Sequence, residues 1–123
     1  MNASIAALGE KYYQHIGNKN IEEVSQFLDP SVEFFGPLAH LQGKKAVLQA
    51  TENFIKMFQS LTIKAKFGSD DQAMIVYEVN IPGMAEKFPG ASLLSFRDGL
   101  IVRVELFYDG SRFIEKKEKI FQS

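Results

Sequence analysis

"ASLLSFRDGLIVRVELFYDG", residues 91–110, decides the fold. Asp98-Gly99 is a two-residue hairpin signal, because both positions tolerate the positive φ that a tight turn between twisted strands demands. It separates a strand centred on Ala91 to Arg97 from a second strand, Leu100 to Tyr108, which Asp109-Gly110 ends. The same two-residue period continues upstream. Leu61, Ile63, Ala65 and Phe67 alternate with Thr62, Lys64 and Lys66; Gly68-Ser69-Asp70-Asp71 makes a turn; Ala73 to Ile81 forms the next strand, closed by Pro82-Gly83. Four long strands in sequence make an antiparallel meander.

Before Leu61 the period is helical. Ile5, Leu8, Tyr12 and Ile16 step by three and four and share one face. Gly17-Asn18-Lys19-Asn20 breaks that helix. Asn20 then caps a second one, with Glu23 three residues on to complete a capping box. Its apolar side is Ile21, Val24, Phe27 and Leu28, and Asp29-Pro30 stops it, since the residue before proline avoids the helical region. A short strand, Val32 to Phe35, follows, then a loop from Gly36 to Gly43. A third helix is predicted from about Lys44 to Gln59, with Val47, Ala50, Phe54, Met57 and Leu61 as its buried stripe. The tail, 111–123, is lysine-rich and reads as a short helix or a frayed end.

Residues 1–123 thus form one α+β domain: three helices packed on one face of a strongly curved, mostly antiparallel sheet. Such a chain buries roughly 65–70% of the surface that its unfolded form exposes, enough for a core without staples. A bent sheet capped by helices is a cone, and the inside of a cone is a natural pocket. Eleven phenylalanines among 123 residues fit either an aromatic core or an apolar cavity.

Charge and composition exclude several function classes. A net charge of −1 steers neither nucleic acid nor an anionic membrane. With no cysteine there is no thiolate nucleophile, disulfide or thiolate-bound metal. The first fifteen residues lack the basic and apolar regions of a signal peptide, and no apolar run approaches the roughly 20 residues of a membrane helix. A cytoplasmic protein is expected. His15 and His40 are isolated, so no metal is expected, and without a glycine-rich phosphate loop no nucleotide or other cofactor is expected.

Two stretches resemble a known family. "LDPSVEFFGPLAHLQGKKAV", residues 28–47, resembles the segment in which SnoaL-like proteins follow their second helix with a short strand, a Gly-Pro and a Gly-led helix. The stretch 91–110 resembles their final hairpin. These proteins belong to the nuclear transport factor 2-like superfamily, which includes ketosteroid isomerases and polyketide cyclases. The resemblance spans roughly residues 5 to 113. It implies a cone-shaped fold that often dimerises through its sheet, and hence a homodimer. It leaves function open, because the superfamily holds isomerases, cyclases, hydrolases, dehydratases and non-catalytic binding proteins.

Ketosteroid isomerases use a tyrosine on the first helix and a protonated carboxyl group as oxyanion donors, and a carboxylate as the proton shuttle. By resemblance the tyrosine position falls on Tyr12, the shuttle on Phe35 and the second donor on Ser92. A phenylalanine is no base, so that mechanism is not supported, and Phe35 becomes an expected pocket wall. Phe54 and Tyr108 are further expected wall residues.

Other groups remain as candidates for moving a proton. Glu33 lies two residues before Phe35 and shares its strand face. Inside an aromatic cavity its pKa would rise toward a useful range; at a strand edge it would point to water. Glu105, mid-strand, either faces the pocket or pairs with an arginine on the sheet's outer face. Opposing Phe96 to Ile101 puts Ser92, Arg103 and Glu105 on one face, whereas the resemblance puts Ser92 with Tyr108. Both hold only if a bulge intervenes. His15, one turn after Tyr12, reaches the cavity or lies on a helix flank. His40 sits in the loop at the expected pocket mouth, or in solvent.

Two functions follow. One is a cofactor-independent acid/base lyase or isomerase acting on a small hydrophobic molecule, with Tyr12 donating to a carbonyl and Glu33, His40 or Glu105 moving a proton. The other is a non-catalytic, dimeric ligand-binding or interaction module.

Overall fold

The computed structural model describes residues 2–111. Its elements are α1 (Asn2–Gly17), α2 (Ile21–Gln26), β1 (Leu28–Phe35), β2 (His40–Gln42), α3 (Lys44–Ile55), β3 (Ser60–Ser69), β4 (Gln72–Ile81), β5 (Ala85–Arg97) and β6 (Leu100–Phe107). One six-stranded sheet runs in the order β2-β1-β6-β5-β4-β3. Only the β1–β6 pair is parallel. Three helices on a mostly antiparallel sheet are what the change of period predicts. The short helix or frayed end expected for the tail lies outside the described residues, apart from Ser111.

The differences from expectation have local causes. Asn20 caps α2, accepting from Glu23 N at 3.3 Å, but its own N–H donates to His15 O at 2.9 Å and not to the Glu23 side chain, so the expected capping box is only half formed. But α2 stops at Gln26, and Leu28 already belongs to β1. Ile101 N donates to Phe27 O at 2.7 Å, and this bond draws the chain onto β6 before Pro30 is reached. The loop 36–43 contains β2, which folds back on β1 with Phe35 opposite His40. Helix α3 ends at Ile55, one turn early, so that Phe58 rather than Met57 becomes fully buried. Lys19 fixes that turn: its Nζ donates to Phe58 O at 2.6 Å and lies 5.0 Å from the centre of the Phe58 ring. Strand β5 begins at Ala85 and takes in Pro89. Since β6 ends at Phe107, opposite Ala91, Pro89 lies where β5 has become an edge, a place where a sheet tolerates proline.

The decisive detail is a bulge beside the Asp98-Gly99 turn. Phe96 opposes Ile101, but Ser95 opposes Arg103, so Val102 is one residue too many on β6. The pleat then flips. Ile101 and Val104 face the helices and are buried, while Arg103 and Glu105 face outward. Val32 and Phe34 follow Val104 inward on β1, where Phe34 pairs with Val104. Helix α1 packs on β3 and β4, close enough that a Cβ on Gly9 would lie 3.0 Å from that of Ala73. Among the described residues no helix is long and apolar enough to cross a membrane.

Candidate functional site

The inner face of the sheet, α1 and α3 enclose a cavity of about 80 Å³. Helix α1 contributes Tyr12, Tyr13 and Ile16. Helix α3 contributes Ala50, Thr51 and Phe54. The sheet supplies Phe34, Tyr77, Val79, Val104 and Leu106, and Phe88 with Tyr108 stand together on one side, ring centres 6.3 Å apart. All four tyrosines of the chain line this space. Among the described residues no Asp, Glu, Lys, Arg or His does.

The aromatic walls hold one another. Tyr12 meets Tyr13 edge-on at 5.3 Å, and Tyr13 stacks on Tyr77 at 4.9 Å, with planes 26° apart. Burial disfavours the phenolates. It pushes Tyr12 far above the ordinary phenol range, and Tyr13 adds to this. Burial also raises Tyr77, and lifts Tyr13 to about 12 against the opposing influence of the nearby Ser92 and Tyr77 hydroxyls. Tyr108, half-buried, is raised for the same reason. At physiological pH the cavity therefore offers neutral O–H groups, which donate and accept but carry no charge. Thr51 is already engaged, its hydroxyl donating to Val47 O at 2.8 Å. Ser92 is fully buried behind this wall. Its Oγ has no partner in good hydrogen-bond geometry among the described residues, and the Tyr13 hydroxyl is the group that approaches it.

Of the residues singled out in the sequence, Tyr12, Phe54 and Tyr108 line the cavity, and Ser92 lies behind its wall. The others do not reach it. Phe35 is not a pocket wall; the wall is Phe34. The reason is alternation: Val32 is buried, so Phe34 points inward with it, and Phe35 points outward with Glu33. Phe35 lies between the His40 ring, stacked at 4.3 Å, and the Arg103 guanidinium, 4.2 Å from its centre. Glu33 accepts from Gln42 Nε2 at 3.1 Å and meets His40 Nε2 at 3.5 Å. The Gln42 hydrogen bond first, then His40 and Arg103, hold its carboxyl below the usual range, the opposite of the rise expected inside a cavity. Glu105 pairs with Arg103 at 3.4 Å on the outer face. His15 lies on the flank of α1, 5.7 Å from the Phe27 ring. None of the three proton-moving candidates, Glu33, His40 and Glu105, therefore lines the cavity.

Tyr13, Phe34, Tyr77 and Phe88 were not foreseen. Tyr77 was within reach: it continues the alternation Ala73, Ile75, Val79, Ile81, which is the buried side of β4. Phe34 was too, because the charge of Glu33 marks the wet face.

Residues 10–104 match the family described as the SnoaL-like domain. No curated protein matches the chain. Solved structures do match. A steroid delta-isomerase from Pseudomonas aeruginosa is 18% identical, with a TM-score of 0.79, over 98% of this chain and 90% of that one. A nuclear transport factor 2-like protein from Mesorhizobium loti is 14% identical, with a TM-score of 0.79, over 89% and 93%. A de novo designed protein with a curved β-sheet is 18% identical, with a TM-score of 0.85, over 98% and 96%. These likenesses establish the cone-shaped nuclear transport factor 2-like fold.

Proposed function

The chain belongs to the SnoaL-like domain family, and from that premise we propose that it is a small-molecule-binding protein whose ligand occupies the tyrosine-lined cavity without being transformed. One observation carries this reading: the cavity gathers every tyrosine of the chain, while Glu33, His40 and Glu105 lie on the other side of the sheet. Acid/base catalysis of enolisation needs a group that accepts a proton near neutral pH. Four phenols pushed upward by burial keep their protons and supply no such base. Tyr12 would then orient a carbonyl or similar acceptor and stop there. A cofactor-independent isomerase or lyase is the second reading, and it draws on the family and on the isomerase among the structural neighbours.

The two readings separate in one experiment. Cyclohexanone is titrated into the protein in deuterated buffer, with tyrosine ring resonances and exchange of the ketone's α-protons followed together by NMR. Saturable shifts of the Tyr12 and Tyr108 rings with no acceleration of exchange over buffer are expected. Accelerated exchange that is lost in Tyr12→Phe would establish enolisation, and with it the enzyme reading.

We also propose a homodimer formed through the outer face of the sheet. Registers place Phe67, Met74 and Leu93 in one cross-strand row and Ala65, Val76, Ala91 and Phe107 in the next. Phe67 and Phe107 are 61% and 52% exposed. Such apolar rows in a polar surround are a common mark of an interface.

A further inference from the structure

Tyr77 has an unusual seat. It pairs with Gly90 across β4 and β5. A Cβ on Gly90 would lie 2.7 Å from Tyr77 Cζ and 2.8 Å from its hydroxyl oxygen, far inside contact distance. The phenol end of the ring therefore rests on the β5 backbone itself. Gly90 is not one of the positive-φ glycines, so its missing side chain serves this close approach and not a turn. On the other side, Tyr13 stacks on the same ring at 4.9 Å. Backbone, Tyr77 and Tyr13 make three layers, and both rings face the cavity.

We propose that Tyr77, laid across Gly90 and covered by Tyr13, determines which ligands the cavity accepts: uncharged molecules of no more than one ring that present a hydrogen-bond acceptor to the tyrosines. This rests on the ligand-binding reading above and adds to it a size limit, a charge rule and the residue that enforces the limit. The size limit follows from volume. At about 80 Å³ the space is smaller than the roughly 150 Å³ apolar cavity that admits benzene, and well below the roughly 300–1,000 Å³ of pockets for larger ligands. A single ring enters with part of it at the mouth, and a second ring has nowhere to go while Tyr77 fills the space above Gly90. The charge rule follows from the walls. No Asp, Glu, Lys, Arg or His among the described residues lines the cavity, so a carboxylate or ammonium would lose its hydration without gaining a counter-charge. The acceptor requirement follows from the Tyr12 phenol, which lines the cavity and is kept protonated by burial.

The test uses three probes on the full chain: cyclohexanone, the two-ring ketone 1-tetralone, and cyclohexanecarboxylate. Binding is read from tyrosine ring shifts, and melting curves check the fold of each variant. Wild type should bind cyclohexanone at least tenfold more tightly than 1-tetralone and show no saturation with the carboxylate. Tyr77→Ala should reverse the ketone order, because the space over Gly90 opens. Tyr77→Leu, which keeps apolar bulk and guards against a failure of Tyr77→Ala to fold, should narrow the preference to less than threefold. Gly90→Ala should weaken cyclohexanone binding, since the added methyl group drives Tyr77 and Tyr13 toward the ligand. If wild type binds cyclohexanone but both Tyr77 variants keep its ketone order, the proposal fails while ligand binding stands. Tight binding of the carboxylate overturns the charge rule. If wild type binds none of the three, the ligand-binding reading fails as well.

Discussion

The two faces of the β1–β6 pair use the same strands to opposite ends. Inward, Phe34, Val104 and Leu106 border a cavity whose polar side chains, among the described residues, are all hydroxyl-bearing. Outward, Glu33, Phe35, Arg103 and Glu105 form a lattice of charge and ring, with His40 stacked on Phe35 and Arg103 lying over it. The spacing along each strand is one residue. The chemistry differs because water reaches one face, so charged side chains sit there beside partners of opposite charge. The other face is dry, and its phenols are held neutral. The inner face is thus apolar and uncharged, while the outer one mixes charged pairs with exposed apolar side chains.

The largest expected effect comes from putting a charge on the wrong face. Val104→Asp would bury a carboxylate among Phe34, Leu94 and Tyr108 with no cation to meet it. The cost should exceed about 4 kcal/mol, and the variant should be largely unfolded at 25 °C by circular dichroism. Leu93→Asp, on the outward side of β5, should fold with nearly wild-type stability as a monomer. Sedimentation of wild type and of Leu93→Asp at tens of micromolar reads the second half of the comparison. A monomeric wild type removes the dimer. A folded, dimeric Leu93→Asp moves the interface elsewhere.

A smaller effect lies in the alkaline range and belongs to the inner face alone. Tyr13, at about 12, stands above the ordinary phenol value of 10.0. A group whose pKa is raised by folding stabilises the native state fully below its unfolded pKa, and the contribution is lost as pH rises through the folded value. For Tyr13 the window is pH 10 to about 12, and the loss is on the order of 3 kcal/mol, with Tyr12 and Tyr77 adding in the same direction. Tyrosinate absorbance near 295 nm should therefore appear together with the loss of secondary structure in a pH titration. Smooth ionisation near pH 10 in a protein that stays folded would mean that water already reaches these rings.

Most of the fold was legible because it depends on periods. The change from 3.6 to two near Leu61, the Asn20 cap and the Asp98-Gly99 turn each name a local structure whose physics is complete within a few residues. The site was less legible because it depends on parity. Val102, one extra residue in β6, inverts every side chain after it, and a bulge leaves no composition signal. Arg103 and Glu105 were open to either face until that bulge was placed. The adjacent pair Phe34-Phe35 posed the same problem, and the resemblance pointed to Phe35 where the structure turns Phe34 inward. Tyr13 was missed for another reason. It lies beside the stripe Ile5, Leu8, Tyr12 and Ile16, which widens where Gly9 lets α1 approach β4 closely.

That adjacent pair gives the finest test of the comparison. Truncating a phenylalanine packed on all sides typically costs about 3–5 kcal/mol, from lost transfer energy and from the void left behind. Neither ring here is packed on all sides. Phe34 borders the cavity on one side but packs against the core on the other, so Phe34→Ala should cost about 2 kcal/mol and weaken cyclohexanone binding, since the wall is lost with it. Phe35 has the outward ring contacts of His40 and Arg103, each on the scale of roughly 0.5–1 kcal/mol for an exposed ring or cation–π pair. Phe35→Ala should therefore cost about 1 kcal/mol and leave cyclohexanone affinity within twofold of wild type. Urea denaturation and the same NMR titration measure both numbers for both variants. Equal stability losses would mean that the outer face packs as the inner one does, which only a buried dimer interface over Phe35 would explain. A loss of ligand affinity in Phe35→Ala larger than in Phe34→Ala would put the binding site on the outer face and reverse the roles of the two sides.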